Sequence, residues 1–305
     1  MKKRLFFLCL LPTALFLLCG CQAMLTSTVK ATDKAEQSGM IAPATAVSIK
    51  KSTTAVSRTM EGFTPEQEYY IGRSVAAVIL TKYPSYASRQ ANEYLNLLGQ
   101  TLAQASDMPQ IFLGYRFLVL NSDEINAFAT PGGHIFVTRG LLRCCPNEDA
   151  VAAILAHEIG HIQLKHGIQA IKKARVTDAV NTIATESVRV LAPGEADRFT
   201  ETFGGVISDI TTMIHNGYSR SFEYAADDVA QTILRRVGYD PNGLVAMLMV
   251  MEKKLNPGDE AGFAKTHPAP QDRISEVLRR AGGTYTPVKA PKARQARFLK
   301  AVGKI

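Results

Sequence analysis

Two histidines and a glutamate in the segment Ala156–His161 have the types and spacing of a metal-dependent hydrolase site. His157 and His161 are four residues apart, so on a helix both imidazoles project from one face and can bind one metal ion. Glu158 then lies beside the open coordination position, where its carboxylate can take a proton from a bound water and pass it to a leaving amine. The pattern predicts metal-assisted hydrolysis of a peptide bond.

The residues around this motif predict a buried helix. Asn147 is a suitable N-cap, the positions between it and His157 are rich in alanine and branched apolar residues, and Gly160 is the only weak helix former among them. The alternative interpretation is a chance match, in which two core histidines stand next to an unrelated glutamate.

A tetrahedral zinc with two histidine ligands needs a third protein ligand and keeps one position open. One known arrangement places a glycine and a histidine three and six residues after the second histidine. Here those positions hold Leu164 and Gly167, and His166 is one residue out of register. That arrangement is therefore excluded. We expect His166 to be structural, and the same holds for His134 and His215.

A later helical segment, Ser219–Asp227, offers the missing ligand. Glu223 and Asp227 are four residues apart and share a helix face. Glu223 can therefore bind the metal while Asp227 accepts the distal N–H of a liganding histidine and fixes its tautomer. The alternative for Glu223 is an ordinary surface acid.

The amino terminus predicts export. Met1–Arg4 is basic, and Leu5–Leu18 is apolar but too short to span a bilayer. Leu18–Cys21 resembles the lipobox of bacterial lipoprotein precursors, which predicts a signal peptide over residues 1–20 and lipidation of Cys21. A plain signal peptide cleaved elsewhere is the alternative. Because Gln22 is not an aspartate, we expect an outer-membrane anchor on the periplasmic side rather than retention in the inner membrane.

The net charge of +8 does not indicate nucleic-acid binding, because the basic residues lie at the ends. Residues 61–283 carry 21 basic and 25 acidic side chains, whereas residues 284–305 carry six basic and no acidic ones. A basic tail beside a lipid anchor fits an anionic membrane surface, although solvated charge without a partner is equally consistent. We expect residues 21–61 to be a flexible linker and residues 284–305 a basic tail.

The pattern of the chain predicts a mainly helical α+β fold, with a small β-sheet beside the motif helix, in one domain over residues 62–283. Thr64 begins a capping box, and short strands are expected near residues 115–120 and 133–138. The adjacent Cys144 and Cys145 are expected to be packed thiols rather than a disulfide. The remaining predicted helices cover about residues 65–82, 88–105, 168–191, 206–214, 221–237, 242–254 and 270–281.

Several motifs together resemble metallopeptidase family 48, a family of gluzincins. They occur in a fixed order over about residues 62–281: Asn126-Ala127-Phe128, Gly132 to Val137, Gly140-Leu141-Leu142, His157 to His161, Glu223 to Asp227, and Thr266-His267-Pro268 with Arg273. The resemblance implies a zincin-like protease fold. It also implies one zinc ion on His157, His161 and Glu223, with Glu158 as the general base.

The resemblance further implies that the strand Gly133–Val137 offers an edge to an extended polypeptide substrate, a mode that strand addition permits. His267 resembles a histidine on a mobile loop that stabilises the oxyanion or occupies the open metal position. The alternative is a loop histidine packed beside Pro268. Asn126 is expected to line the cleft.

The predicted function is that of a membrane-anchored zinc endopeptidase of the bacterial envelope, which hydrolyses misfolded or unassembled proteins. The main alternative is a chaperone-like binding factor that keeps the protease fold with gated or absent proteolysis. A cell-wall glycan hydrolase is a weaker alternative, since the chain lacks a paired-carboxylate pattern. The sequence does not indicate an oligomeric state.

Overall fold

The computed structural model describes most of the chain beyond the expected signal peptide. The described residues are 22–60, 62–191, 217–254, 267, 269–280, 283, 286 and 290–305. The predicted signal peptide, the predicted lipid-bearing Cys21 and the helix predicted over residues 206–214 lie outside them. No described helix is both long and apolar enough to cross a bilayer.

The chain folds as two units, and the first differs from the expected flexible linker. This unit comprises residues 1–62 and 171–209. Its described part contains α1 (Gln22–Gln37), α2 (Pro43–Met60) and most of α7 (His166–Leu191). Inside it the buried Ser48 hydroxyl donates a 2.5 Å hydrogen bond to Glu186. Residues 22–60 lack a strong apolar period, and their helices are stabilised by tertiary packing that a local pattern does not reveal.

The second unit, residues 63–170 and 210–305, contains the predicted active-site motif. It is mainly helical with one small sheet, as the sequence predicts. Its elements are α3 (Pro65–Lys82), α4 (Arg89–Gln104), β1 (Arg116–Leu120), β2 (Ala127–Thr130), β3 (His134–Thr138), α5 (Arg139–Leu142), α6 (Glu148–Gln163), the start of α7, α8 (Arg220–Arg236), α9 (Gly243–Lys254), α10 (Pro270–Arg280) and α11 (Lys292–Val302).

The sheet has the order β1-β3-β2, which corrects the prediction about the substrate edge. β3 pairs in parallel with β1 and antiparallel with β2. Its backbone groups are therefore engaged on both sides, and the Gly133–Val137 segment cannot accept a further strand. Within the described sheet, β1 and β2 are the edge strands, and β2 is the one that pairs antiparallel with β3. The turn between them needs glycine, because Gly132 has φ +72° and lies against the backbone of Tyr69.

The motif helix α6 is the centre of the second unit. Asn147 caps it by accepting the Ala150 N–H, as predicted. Every residue from Glu148 to Ile162 is buried, which is the pattern of a helix enclosed on all sides. It ends at Gln163, and α7 starts three residues later.

The basic C-terminal segment also differs from the expected free tail, because α11 packs on the start of α6. Phe298 and Val302 belong to the main apolar core. Arg294 forms a 3.0 Å ion pair with Asp149, and Arg297 pairs with Glu148. Glu148 is fully buried, so the arginines of α11 supply charge partners that this end of the active-site helix requires.

Substitution of one α11 residue should show that the helix belongs to the folded unit. Phe298→Ala removes a buried ring and should lower the free energy of unfolding by roughly 3–5 kcal/mol. The neighbouring Leu299 is 54% exposed, so Leu299→Ala should change it by no more than about 0.5 kcal/mol. Urea unfolding of both variants measures the difference. Equal stabilities would contradict the docking of α11.

Candidate metal centre

Close contact between α6 and α8 brings residues from two distant segments into one site. A Cβ atom at Gly160 would lie 3.0 Å from the backbone oxygen of Ala226, so glycine permits the approach of the two helices. Glu223 lies one turn before Ala226 on α8. The histidines of α6 and this glutamate therefore meet in the interior of the unit.

Four side chains offer donor atoms within 4.8 Å of one another: His157, His161, Glu223 and His267. The Nε2 atoms of the two α6 histidines are 3.0 Å apart. Each lies 3.4 Å from a carboxylate oxygen of Glu223, and His267 Nδ1 lies 2.5 Å from Glu223 Oε2. The structure thus brings together the three predicted metal ligands and His267. All four are buried.

The carboxylate of Glu223 fits a metal better than a purely structural role. Glu223 is completely buried, and its Oε1 has no hydrogen-bond partner among the described residues. Such an atom is costly unless a cation compensates it. Two imidazoles and a carboxylate are donors that zinc and similar divalent metals accept, so the residues present fit a divalent metal ion.

Asp227 occupies the position that the sequence predicts for it, behind His157. Its Oδ1 lies 2.8 Å from His157 Nδ1, on the side of the ring away from the donor cluster. The fully buried Arg273 donates to both oxygens of Asp227, at 2.6 and 3.1 Å. This arrangement fixes the orientation of His157 and presents its Nε2 to the cluster. Burial raises the pKa of Asp227, but Arg273 and His157 outweigh burial and hold the pKa below its ordinary value.

His161 has a different set of neighbours, which the sequence analysis did not identify. Its Nδ1 lies 2.8 Å from Nδ1 of His166. The ring of Tyr218 stacks on His161 at 4.6 Å, and Phe222 stacks on His166 at 4.2 Å. His166 is not among the four donors, yet it contacts one of them. The rule that each liganding histidine needs a partner for its distal nitrogen could have identified it.

Glu158 lies in the same buried environment, with 2% of its surface exposed. Burial raises its pKa, and the nearby His157 and His267 oppose that effect. A carboxylate with a raised pKa is a stronger base than a solvated one and can also return the proton. Its environment therefore suits the general-base role that the motif predicts.

Protonation and metal binding compete at His157. Burial lowers the pKa of His157, but the carboxylates of Asp227 and Glu223 outweigh burial and raise it to about 9. Burial lowers the pKa of His161 well below its ordinary value. Because a metal binds only the unprotonated imidazole, protonation of His157 would oppose metal binding as the pH falls.

Of the other residues that the sequence singled out, His215 lies outside the described residues, and Asn126 and His134 are not part of the donor cluster. Asn126 is buried, and its side-chain oxygen accepts the N–H of Ala127 at the start of β2. His134 packs beside Tyr69. Cys144 and Cys145 are free, buried thiols, as expected.

The four donor residues lie in a part of the chain that is similar to known proteins. The sequence profile of Peptidase family M48 matches residues 89–281, which contain all four donors. The beta-barrel assembly-enhancing protease of Escherichia coli (strain K12) is 28% identical over 196 residues, covering 62% of this chain and 38% of that protein. The metalloprotease LoiP of the same strain is 27% identical over 161 residues, covering 53% of this chain and 60% of that protein.

A eukaryotic relative and a solved structure extend the comparison. The mitochondrial metalloendopeptidase OMA1 of Schizosaccharomyces pombe is 29% identical over 166 residues, covering 54% of this chain and 46% of that protein. The crystal structure of S. mikatae Ste24p aligns with 83% of this chain and 66% of that chain, with a TM-score of 0.39 and 16% identity. This chain spans less than two thirds of the length of each relative named.

Substitution of Asp227 should reveal its charge pairing with Arg273. Asp227→Asn removes the carboxylate that the buried guanidinium binds, and should lower the free energy of unfolding by about 3–5 kcal/mol. The adjacent Asp228 is 46% exposed and pairs with Arg280 at the surface, so Asp228→Asn should cost less than about 1 kcal/mol. Denaturant unfolding of metal-free protein at neutral pH measures both.

The pH dependence of the free energy of unfolding, compared between Asp227→Asn and the wild type, provides a second readout. The pKa of Asp227 is lower in the folded than in the unfolded chain, so its contribution is complete above the ordinary value of 3.8 and is lost as the pH falls through the lower, folded value. Asp227→Asn should therefore lose less stability than the wild type on acidification. An equal loss in both proteins would contradict the assigned pairing.

Proposed function

The chain belongs to peptidase family M48, and on that premise we propose that it is a zinc-dependent endopeptidase. One observation carries this proposal: two imidazoles of α6, a buried carboxylate of α8 and a third imidazole meet within 4.8 Å. His157, His161 and Glu223 would hold the ion. The ion would supply Lewis acidity and lower the pKa of water in its open position.

Glu158 carries the proton transfers of the proposed reaction. Its carboxylate, adjacent to His157 on α6, accepts a proton from the attacking water and delivers it to the leaving amine. Exclusion of bulk water around the buried Glu158 strengthens its interactions with charge that develops on the reacting groups. Asp227 and Arg273 hold His157 in place during these steps.

The substrate backbone would lie along β2 instead of β3. Thr138 donates a hydrogen bond to the carbonyl of Asn126, so this pair is a hydrogen-bonded pair of the ladder. By alternation, the backbone groups of Ala127 and Ala129 point away from β3, and of these the Ala127 N–H already donates to the Asn126 side chain. Ala129 lines the same cavity as His161 and Tyr218, so a peptide strand paired there would pass the proposed zinc.

The proposed substrates are misfolded or unassembled proteins of the bacterial envelope. The lipobox-like motif at Cys21 and the relatives named above support an envelope location, with the outer membrane favoured by Gln22. A peptidase that pairs with substrate backbone recognises extended chain, and extended chain is abundant in unfolded rather than folded proteins.

His267 would act as a gate at this site. As a fourth donor it would complete a tetrahedral set and leave no position for water. Hydrolysis would then require His267 to withdraw from Glu223, to which it is now hydrogen-bonded. This arrangement favours gated proteolysis over a protein without peptidase activity.

Replacement of the proposed base should separate catalysis from metal binding. Glu158→Gln should retain one zinc per chain and lower kcat for casein hydrolysis by roughly 10²- to 10⁴-fold, because it removes the proton acceptor but no ligand. Glu223→Ala should lose both zinc and activity. Metal analysis and a chelator-sensitive casein assay measure these outcomes. Equal activity of wild type and Glu158→Gln would refute the base, and inactivity of both would favour the binding factor.

Removal of the gate should have the opposite effect on activity. His267→Ala should raise kcat/KM for casein above the wild-type value, because water then enters the fourth position without competition. Asp228→Asn serves as a comparison, since it alters a half-exposed side chain outside the donor cluster. A loss of activity in His267→Ala with retained zinc would show that His267 assists the reaction.

A further inference from the structure

We infer that His166 is a positioning residue that holds His161 in the tautomer and orientation required for metal binding. The inference deepens the proposed function and depends on the zinc site described above. It rests on the contact between the two Nδ1 atoms, 2.8 Å apart in the protein interior.

The chemistry of imidazole determines the direction of this hydrogen bond. His161 presents Nε2 to the donor cluster, 3.0 Å from His157 Nε2 and 3.4 Å from Glu223. If Nε2 binds the metal, Nδ1 of His161 carries the proton and donates. His166 must then accept through an unprotonated Nδ1 and keep its own proton on Nε2.

Packing holds His166 in the orientation that this bond requires. It is 2% exposed, and its ring is parallel to that of Phe222, with 2° between the planes and 4.2 Å between centroids. Phe222 directly precedes the proposed ligand Glu223. The same turn of α8 therefore supplies a ligand and fixes the partner of another ligand. Tyr218 covers the His161 ring from a further side.

A neutral partner suits the charge of this site. The partner of His157 is an Asp227 carboxylate whose charge is compensated by the 2.6 Å ion pair with Arg273. An imidazole behind His161 likewise adds no net charge. Neither of these two orienting partners adds net negative charge. The uncompensated carboxylates of the proposed metal site are therefore those of Glu223 and Glu158. A divalent ion with fewer anionic neighbours retains more Lewis acidity.

Two variants separate the acceptor from the packing at this position. His166→Asn places an amide oxygen near the former Nδ1 position and keeps the acceptor but loses the stacked ring. His166→Phe keeps a ring against Phe222 but has no acceptor. Zinc dissociation constants, measured by competition with a chelator, should rise roughly 10- to 100-fold for His166→Phe. They should stay near the wild-type value for His166→Asn.

A measurement on the wild type tests the same bond without a variant. In zinc-loaded protein with 15N-labelled histidine, NMR should detect a coupling between the two Nδ1 nuclei across the hydrogen bond. Its absence would overturn the inference, as would wild-type zinc affinity in a folded His166→Phe. A wild type that binds no zinc would instead overturn the proposed function, and the inference with it.

Discussion

The approach of α6 to α8 at Gly160 is the constraint on which the site depends. Neither helix alone brings more than two of the donor atoms together, because His157 and His161 lie on one and Glu223 on the other. The separation of their axes determines whether the carboxylate reaches the imidazoles, and a side chain at Gly160 would meet the backbone of α8. The donor cluster therefore depends on the packing of α6 against α8 as well as on the identity of its side chains.

Burial of so many ionisable groups is tolerable only because each is compensated. Asp227 has Arg273, Glu148 and Asp149 have the arginines of α11, and Glu223 faces three histidines. A cation among these histidines would satisfy the oxygen of Glu223 that has no hydrogen-bond partner among the described residues. Removal of any one partner leaves its counterpart in a medium of low polarity, where isolated charge is costly.

The sequence predicted the features that depend on local spacing. The Asn147 cap, the Thr64 capping box and the mainly helical fold follow from short-range patterns. The grouping of His157, His161 and Glu223 was predicted from two such patterns on separate helices. The sequence failed where distant segments decide the outcome. Strand order placed β3 in the centre of the sheet, residues 22–60 form helices, and α11 packs on α6. The contact of His166 with His161 spans only five residues, but it depends on the turn between α6 and α7, whose geometry no motif specified.

The contact between α11 and the start of α6 has a consequence for the order of folding. Arg297 and Glu148 are 149 residues apart in the sequence, so their ion pair closes a very large loop. Such contacts form slowly, since the entropy of closure is lost before the contact is gained. Until α11 packs against α6, Glu148 and Asp149 at the start of α6 lack their guanidinium partners. The helix that carries His157 and His161 therefore reaches its full stability only once α11 has packed against it.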